Sequence, residues 1–232
     1  MLSTPRYRHE IKYVIDRFQM TQLDRRLSAV MSYDSHARED GTYDIRSLYF
    51  DNAQDKALKE KTLGLARREK FRLRYYNLDA DYIRLEKKSK LNRLTDKQSC
   101  IVSKEDCARI IAGDISFLGE SENELLREFY AKSKLHGLKA AAVVDYTRKT
   151  FVSPLSDTRI TLDYHIRTGI RATDFLNPKL STVPCDAAEE GPICILEVKY
   201  NAFLPGHIAA LLQTPDCRCS PFSKYEISRR YD

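Results

Sequence analysis

The 232-residue sequence predicts an α+β domain dominated by antiparallel strands with helices packed against them. Three observations carry that expectation. Apolar and polar residues alternate with period two in about seven or eight segments, the signature of half-buried strands. Amphipathic spacing fills several of the gaps between those segments. No fixed-period repeat and no low-complexity linker divides the chain, so residues 1–232 read as one domain. Sequential antiparallel strands in this number can close into a barrel, which removes exposed edges.

The first strand is expected over Tyr7–Ile15, with Arg8, Glu10 and Lys12 on one face. A helix follows over Asp16–Tyr33: Asp16 is in cap position and Phe18, Met20, Leu23, Leu27 and Val30 recur at helical spacing. Arg46–Phe50 is a short β-rich run. Lys70–Tyr76 sets Lys70, Arg72 and Arg74 opposite Phe71, Leu73 and Tyr75. Tyr82–Lys88 sets Arg84, Glu86 and Lys88 opposite Ile83, Leu85 and Lys87. Helices are expected over Ser103–Ala112, which stops before Gly113, and over Ser121–Leu135. Ala141–Val152 places Tyr146 and Arg148 two apart. Arg159–Arg167 sets Arg159, Thr161 and Asp163 opposite Ile160 and Leu162. Asn177–Gly191, with two prolines and the acidic cluster Asp186, Glu189 and Glu190, reads as a loop. Ile193–Tyr200 sets Glu197 and Lys199 opposite Leu196, Val198 and Tyr200. Pro205–Leu212 is a short helix opened by a proline.

Composition narrows the function. Charged residues make up 31% and hydrophobic residues 42%, which excludes a wholly disordered chain. No apolar stretch approaches the ~20 residues that span a bilayer, and the first residues lack an apolar signal core. A soluble cytoplasmic protein with no membrane segment is expected, its six cysteines reduced. The net charge is +6, and it is concentrated: Lys56–Lys104 holds 15 Lys/Arg against 6 Asp/Glu. That segment should face an anion. Cys217-Arg218-Cys219 has no second Cys/His pair at ligand spacing, and the five histidines are scattered, which argues against a zinc site. The common phosphate-loop, dinucleotide and nucleophile-elbow motifs are absent.

One grammar recurs on the polar faces: Glu10-x-Lys12, Lys70-x-Arg72-x-Arg74, Arg84-x-Glu86-x-Lys88 and Glu197-x-Lys199. For any single strand the plain reading is a polar face in water. If the faces instead line a barrel, its interior is a cationic tunnel, and like charges there repel unless a polyanion balances them. Arginine suits phosphate because its planar fork donates paired hydrogen bonds.

Eight strings in order then resemble a known family: Arg8-His-Glu10-Ile-Lys12-Tyr13, Ser47-Leu-Tyr49-Phe50-Asp51, Lys70-Phe-Arg72-Leu-Arg74-Tyr75, Leu85-Glu86-Lys87-Lys88, Tyr146-Thr-Arg148, Arg159-Ile-Thr161-Leu-Asp163, Leu196-Glu197-Val198-Lys199-Tyr200 and Ser223-Lys224-Tyr225. The chain resembles the VTC-type polyphosphate polymerase domains of the triphosphate tunnel metalloenzyme (CYTH-like) superfamily. The resemblance implies a closed, mainly antiparallel eight-stranded barrel with flanking helices. Its tunnel would take a nucleoside triphosphate such as ATP, and polyphosphate, with Mn²⁺ or Mg²⁺. It implies catalytic roles for Lys12, Arg72, Arg74, Lys88, Arg148 and Glu197, with Glu197 as metal ligand. Phosphate contacts would come from Lys12, Arg46, Arg72, Arg74, Lys88, Lys97, Tyr146, Arg148, Lys199, Ser223 and Lys224.

Two departures bear on the activity. The hydrolase branch opens with ExExK, whereas Arg8 here replaces the first Glu, which favours the polymerase branch. Ser99 stands where the family often has a second basic residue after Lys97. Individual residues keep competing readings: Arg46 as partner of Asp51 or Asp44, Glu86 as partner of Arg72 or Arg84, Asp163 as second metal ligand or arginine partner, Lys97 as a solvated lysine, Tyr146 as core. Polymerase, triphosphate hydrolase and non-catalytic polyphosphate binder therefore stand as three expectations. Nucleic acid is disfavoured, because Phe71, Leu73 and Tyr75 fall on the face opposite the basic residues.

Overall fold

The structure, a computed structural model, describes residues 8–92, 94–185, 192–214, 219 and 222–229. Tyr7, Cys217 and the acidic cluster Asp186, Glu189 and Glu190 lie outside the described residues. The strands are β1 (His9–Ile15), β2 (Ser32–Tyr33), β3 (Thr42–Asp51), β4 (Arg67–Tyr76), β5 (Asp79–Leu91), β6 (Leu94–Val102), β7 (Lys139–Val152), β8 (Arg159–Thr168), β9 (Val183–Pro184) and β10 (Cys194–Tyr200). The helices are α1 (Arg17–Ser28), α2 (Lys56–Thr62), α3 (Lys104–Ala112), α4 (Glu124–His136), α5 (Gly206–Leu211) and α6 (Lys224–Ser228).

Local chemistry explains the helix ends. Asp16 caps α1 through a capping box with Gln19, whose backbone N–H donates to Asp16 Oδ1 at 2.7 Å. Ser103 caps α3, and Gly113 ends it at φ +87°, a left-handed position that suits glycine. The β4–β5 hairpin turns on Asn77 and Leu78, both with positive φ.

All the pairings are antiparallel, in the order β1-β10-β8-β7-β3-β4-β5-β6, with β2 added to β7 and β9 to β8. The sheet curls, but the closed barrel expected from the sequence is not formed. β1 and β6 are its two ends, and among the described residues one isolated bridge, Arg8–Thr95, joins them rather than a ladder. Strand twist makes the ends of a coiled sheet diverge on either side of such a crossing point. Side chains span the gap instead, with Lys88 of β5 paired to Glu10 of β1.

Three apolar clusters hold this sheet. On the convex face, Phe129 of α4 packs edge-on against Phe50 and Phe71, over Leu48, Leu73 and Leu85. Elsewhere on that face, Leu23 and Leu27 of α1 and Ile208 of α5 cover Phe151, Leu162, Leu196 and Val198. The third cluster fills part of the concave face: Ile45, Tyr49, Val144, Tyr146 and Ile195 receive Tyr225 and Ile227 of α6. Asp51 fixes that docking. It is buried, accepts the Ala57 N–H at the start of α2 at 2.9 Å, and accepts the Tyr225 hydroxyl at 2.8 Å.

Candidate functional site

Alternation decides which side chains enter the hollow of the curled sheet. Residues on the Ser47/Tyr49 face of β3 share it with Lys70, Arg72 and Arg74 of β4, Glu86 and Lys88 of β5, and Lys97 of β6. From the other side come Tyr146 and Arg148 of β7, Asp163 of β8, Glu197 and Lys199 of β10, and Glu10 and Lys12 of β1. Ser223 and Lys224 at the start of α6 complete the set.

One wall is organised by a single carboxylate. Glu86, 1% exposed, accepts Arg72 Nε at 2.7 Å and pairs with Lys97 at 2.5 Å and Arg74 at 3.7 Å. Arg74 also donates to Ser47 Oγ at 3.1 Å and to the Tyr146 hydroxyl oxygen at 2.8 Å. Arg72 donates to the Tyr49 hydroxyl oxygen at 3.3 Å.

The facing wall has three carboxylates. Arg148 places its fork on Asp163 at 2.6 and 2.7 Å, and Lys224 donates to the same carboxylate. Glu197 is paired with Lys199 at 2.8 Å, Lys12 at 3.4 Å and Arg148 at 3.5 Å. Lys12 lies between Glu197 and Glu10, 3.3 Å from the latter, and Lys88 donates to Glu10 at 2.6 Å.

These contacts set the titration of the site. Burial pushes the carboxyls of Glu86, Glu197 and Asp163 up, but the surrounding cations prevail and hold each below the usual range. Cations without enough counter-charge go the other way. Burial, opposed by Tyr49 and helped by Lys88 and Lys12, brings the Lys70 ammonium down to about 7. Burial brings Lys199 to about 7 against the pull of Glu197, and Lys97 to about 8 against that of Glu86. The Tyr49 phenol, which burial alone would push up, is drawn down to about 7 by Arg72, Lys70 and Arg74.

The structure thus brings Lys12, Arg72, Arg74, Lys88, Lys97, Tyr146, Arg148, Glu197, Lys199, Ser223 and Lys224 into one hollow. Arg46 stands apart and is a correction to the expected set. It has the opposite parity from Ser47 and Tyr49, so it points to the convex face, where Asp145 grips its fork at 2.8 Å and Asn177 O accepts at 2.5 Å. Neither Asp51 nor Asp44 is its partner; Asp44 pairs with Arg38. Six further residues among those described face the hollow outside the expected set: Glu10, Ser47, Tyr49, Lys70, Glu86 and Asp163, the last as the partner of Arg148. The i, i+2 spacing of Lys70, Glu10 and Glu86 from Arg72, Lys12 and Lys88, and of Tyr49 from Ser47, was the available signal.

Among the described residues no cluster of three or more His, Cys, Asp and Glu side chains comes together to hold a metal. The donor set that fits a hard divalent ion is carboxylate oxygen from Glu197 with Glu10 nearby, where the Lys12 ammonium now bridges the two. Among the described residues Cys100, Cys107 and Cys219 are free thiols. No helix among the described residues is long and apolar enough to cross a membrane.

A curled antiparallel sheet around a cation-rich, carboxylate-studded hollow is the fold, and the hollow is its candidate site. The chain belongs to the VTC domain family, whose profile matches residues 7–231. No curated protein matches it in sequence. Among solved structures it is similar to a Hippeastrum protein assigned as an adenylyl cyclase and reported to have a dominant triphosphatase activity. That likeness has a TM-score of 0.54 at 15% identity, over 96% of this chain and 95% of the other. A Bacillus halodurans protein assigned as an adenylate cyclase gives a TM-score of 0.50 at 13% identity, over 88% and 84%. A Pyrococcus horikoshii protein gives 0.50 at 12%, over 95% and 98%. At these identities the likeness concerns the fold.

Proposed function

We propose that this chain is a polyphosphate polymerase-like phosphotransferase that moves the γ-phosphate of a nucleoside triphosphate, ATP in the simplest case, onto a growing polyphosphate chain in the hollow. One observation carries the reading: among the described residues Lys12, Lys70, Arg72, Arg74, Lys88, Lys97, Arg148, Lys199 and Lys224 face the hollow with only Glu10, Glu86, Asp163 and Glu197 to balance them. That excess is stabilised by a polyanion.

Phosphoryl transfer is mainly positioning and charge neutralisation. Arg72 and Arg74, held edge-on by Glu86, Ser47 and Tyr146, aim their remaining N–H groups at phosphate oxygens. Arg148, Lys199 and Lys12 fix the other side. Glu197 would hold Mn²⁺ or Mg²⁺, which when bound supplies Lewis-acid neutralisation of the phosphate oxygens. The attacking group is a phosphate oxygen, already ionised at neutral pH, so no base is required. The four carboxylates suit that role, because each is held below the usual range and is a poor proton acceptor.

A second reading rests on Tyr49. A phenol titrating at about 7 beside Arg72 could take a proton from water and serve a triphosphate hydrolase. Incubation with ATP and Mn²⁺ or Mg²⁺ separates the two. Long polyphosphate and ADP on a gel support transfer. ADP and orthophosphate with no polyphosphate, lost in Tyr49→Phe, support hydrolysis. No turnover with tight tripolyphosphate binding leaves a binding protein.

A further inference from the structure

The inner cations each have a carboxylate partner or a hydroxyl that orients them. The mouth below α2 and α6 is different. A cavity of about 270 Å³ opens there, and Arg68, Lys70 and Lys90 are among its lining residues. Arg68 and Lys90 are cross-strand neighbours on β4 and β5, two residues outward from the pair Lys70–Lys88. The cavity also has three carboxylates, and each is engaged elsewhere: Glu10 with Lys88 and Lys12, Glu69 with Lys132 and Lys87, and Glu226 with Lys61. Among the described residues no carboxylate pairs with Arg68 or Lys90; Arg68 donates to the Leu65 carbonyl oxygen at 3.0 Å. Burial lowers the Lys90 ammonium, and Arg68 beside it adds to the effect.

The stripe of cations is also long. From Arg68 to Arg74 along β4 it runs about 20 Å at ~3.3 Å per residue, more than a triphosphate occupies. Lys70 joins the inner part to the outer, its ammonium 3.4 Å from Ser223 Oγ. We infer that Arg68 and Lys90 form a receiving subsite for phosphate groups beyond the third of a linear chain, so that this mouth selects long polyphosphate over triphosphate. The inference rests on the phosphate-tunnel reading. Single-stranded nucleic acid fits less well: of the two aromatic residues lining the cavity, Tyr225 is buried against Tyr49 and Phe222 is partly buried against the same apolar cluster, so no row of free ring faces is presented to bases.

The experiment compares inorganic tripolyphosphate with long-chain inorganic polyphosphate at fixed salt, for the parent and for Arg68→Ser combined with Lys90→Ser. Affinity for the long chain should fall about tenfold or more, since each cation removed forfeits a phosphate contact and its counterion release, while tripolyphosphate shifts by less than about twofold. Arg68→Lys with Lys90→Arg should restore long-chain binding, which separates charge from fold. Equal loss for both ligands, or none for either, overturns the subsite while the phosphate-tunnel reading stands. A parent that binds neither ligand overturns both. An oligonucleotide that competes with long polyphosphate and loses binding in the same double variant would replace the occupant and overturn the inference.

Discussion

The two walls of the hollow solve the problem of buried charge differently. On the β4–β6 side, Arg72, Arg74 and Lys97 share one carboxylate, Glu86. On the β1, β10 and β8 side, Glu10, Glu197 and Asp163 are distributed among Lys12, Lys88, Lys199, Arg148 and Lys224. The first arrangement sets three cations against one acid, an excess of positive charge that suits anion capture. The second keeps carboxylate oxygens close enough together to share a cation, which is where a metal would compete with Lys12. Under the proposed function, cations crowded around one acid and acids bridged by a cation are complementary halves of one phosphate site.

The largest effects should come from removing the hubs. Glu86→Gln and Glu197→Gln each strand buried cations, and each should lose about 3–5 kcal/mol of stability in phosphate-free buffer, measured by chemical denaturation. Tripolyphosphate should restore both. Only Glu197→Gln should abolish metal-dependent turnover while still binding triphosphate. If Glu86→Gln alone removes metal dependence, the assignment of the two walls is reversed.

Arg74→Ala comes next. A clamp that acts on developing charge costs about 10²–10³ in turnover when removed. Initial-rate measurement checks this, with a thermal melt showing that the fold persists. Loss of fold with unchanged specific activity would make Arg74 a structural residue of the cationic wall.

The pH dependence is smaller and has a definite sign. Lys70 and Lys199 titrate near 7 when folded and well above that when unfolded. Between those values the unfolded chain binds more protons, so their contribution to stability rises with pH from about 7 toward 10. Tyr49, lowered to about 7, acts in the same direction. The phosphate-free protein should therefore melt higher at pH 9 than at pH 7 in this respect, and saturating tripolyphosphate should flatten or invert the trend by holding the lysines charged. Phosphate affinity should weaken as pH rises through the same window, readable by calorimetry in buffers of different ionisation enthalpy.

The smallest effect expected is at Asp51. Asp51→Asn weakens both the start of α2 and the Tyr225 anchor, a cap-sized loss of about 1 kcal/mol. Its signature is in α6, so Lys224 contacts should loosen and phosphate binding should weaken modestly. An unchanged binding constant would separate α6 docking from the site.

Strand periodicity was legible because β4, β5, β8 and β10 alternate strictly, and the helix ends at Asp16, Ser103 and Gly113 carry their own side-chain signals. β6 was missed: Leu94–Val102 mixes Thr95, Asp96, Lys97, Gln98 and Ser99, a polar edge strand whose alternation is hidden because both faces are hydrophilic. α2 and α6 were missed because helices of seven and five residues leave little periodicity to detect. Arg46 shows the converse. Chemistry alone placed it with the other arginines, whereas its parity relative to Ser47 and Tyr49 placed it with Asp145. Closure of the sheet was beyond any local pattern, since it depends on twist accumulated over eight strands.

The seam between β1 and β6 gives the sheet a clasp rather than a weld. Among the described residues one backbone bridge joins the two ends, and the ion pair of Lys88 on β5 with Glu10 reaches across beside it. A ladder of backbone hydrogen bonds is indifferent to counterions, whereas this clasp is weakened by salt over a screening length of about 8 Å at physiological ionic strength. Under the proposed function it also shares its cation with the bound polyphosphate: a phosphate that recruits Lys88 would draw it from Glu10, so that loading would slacken the fastening and unloading tighten it, and a long polymer would be laid in from the side rather than threaded end first.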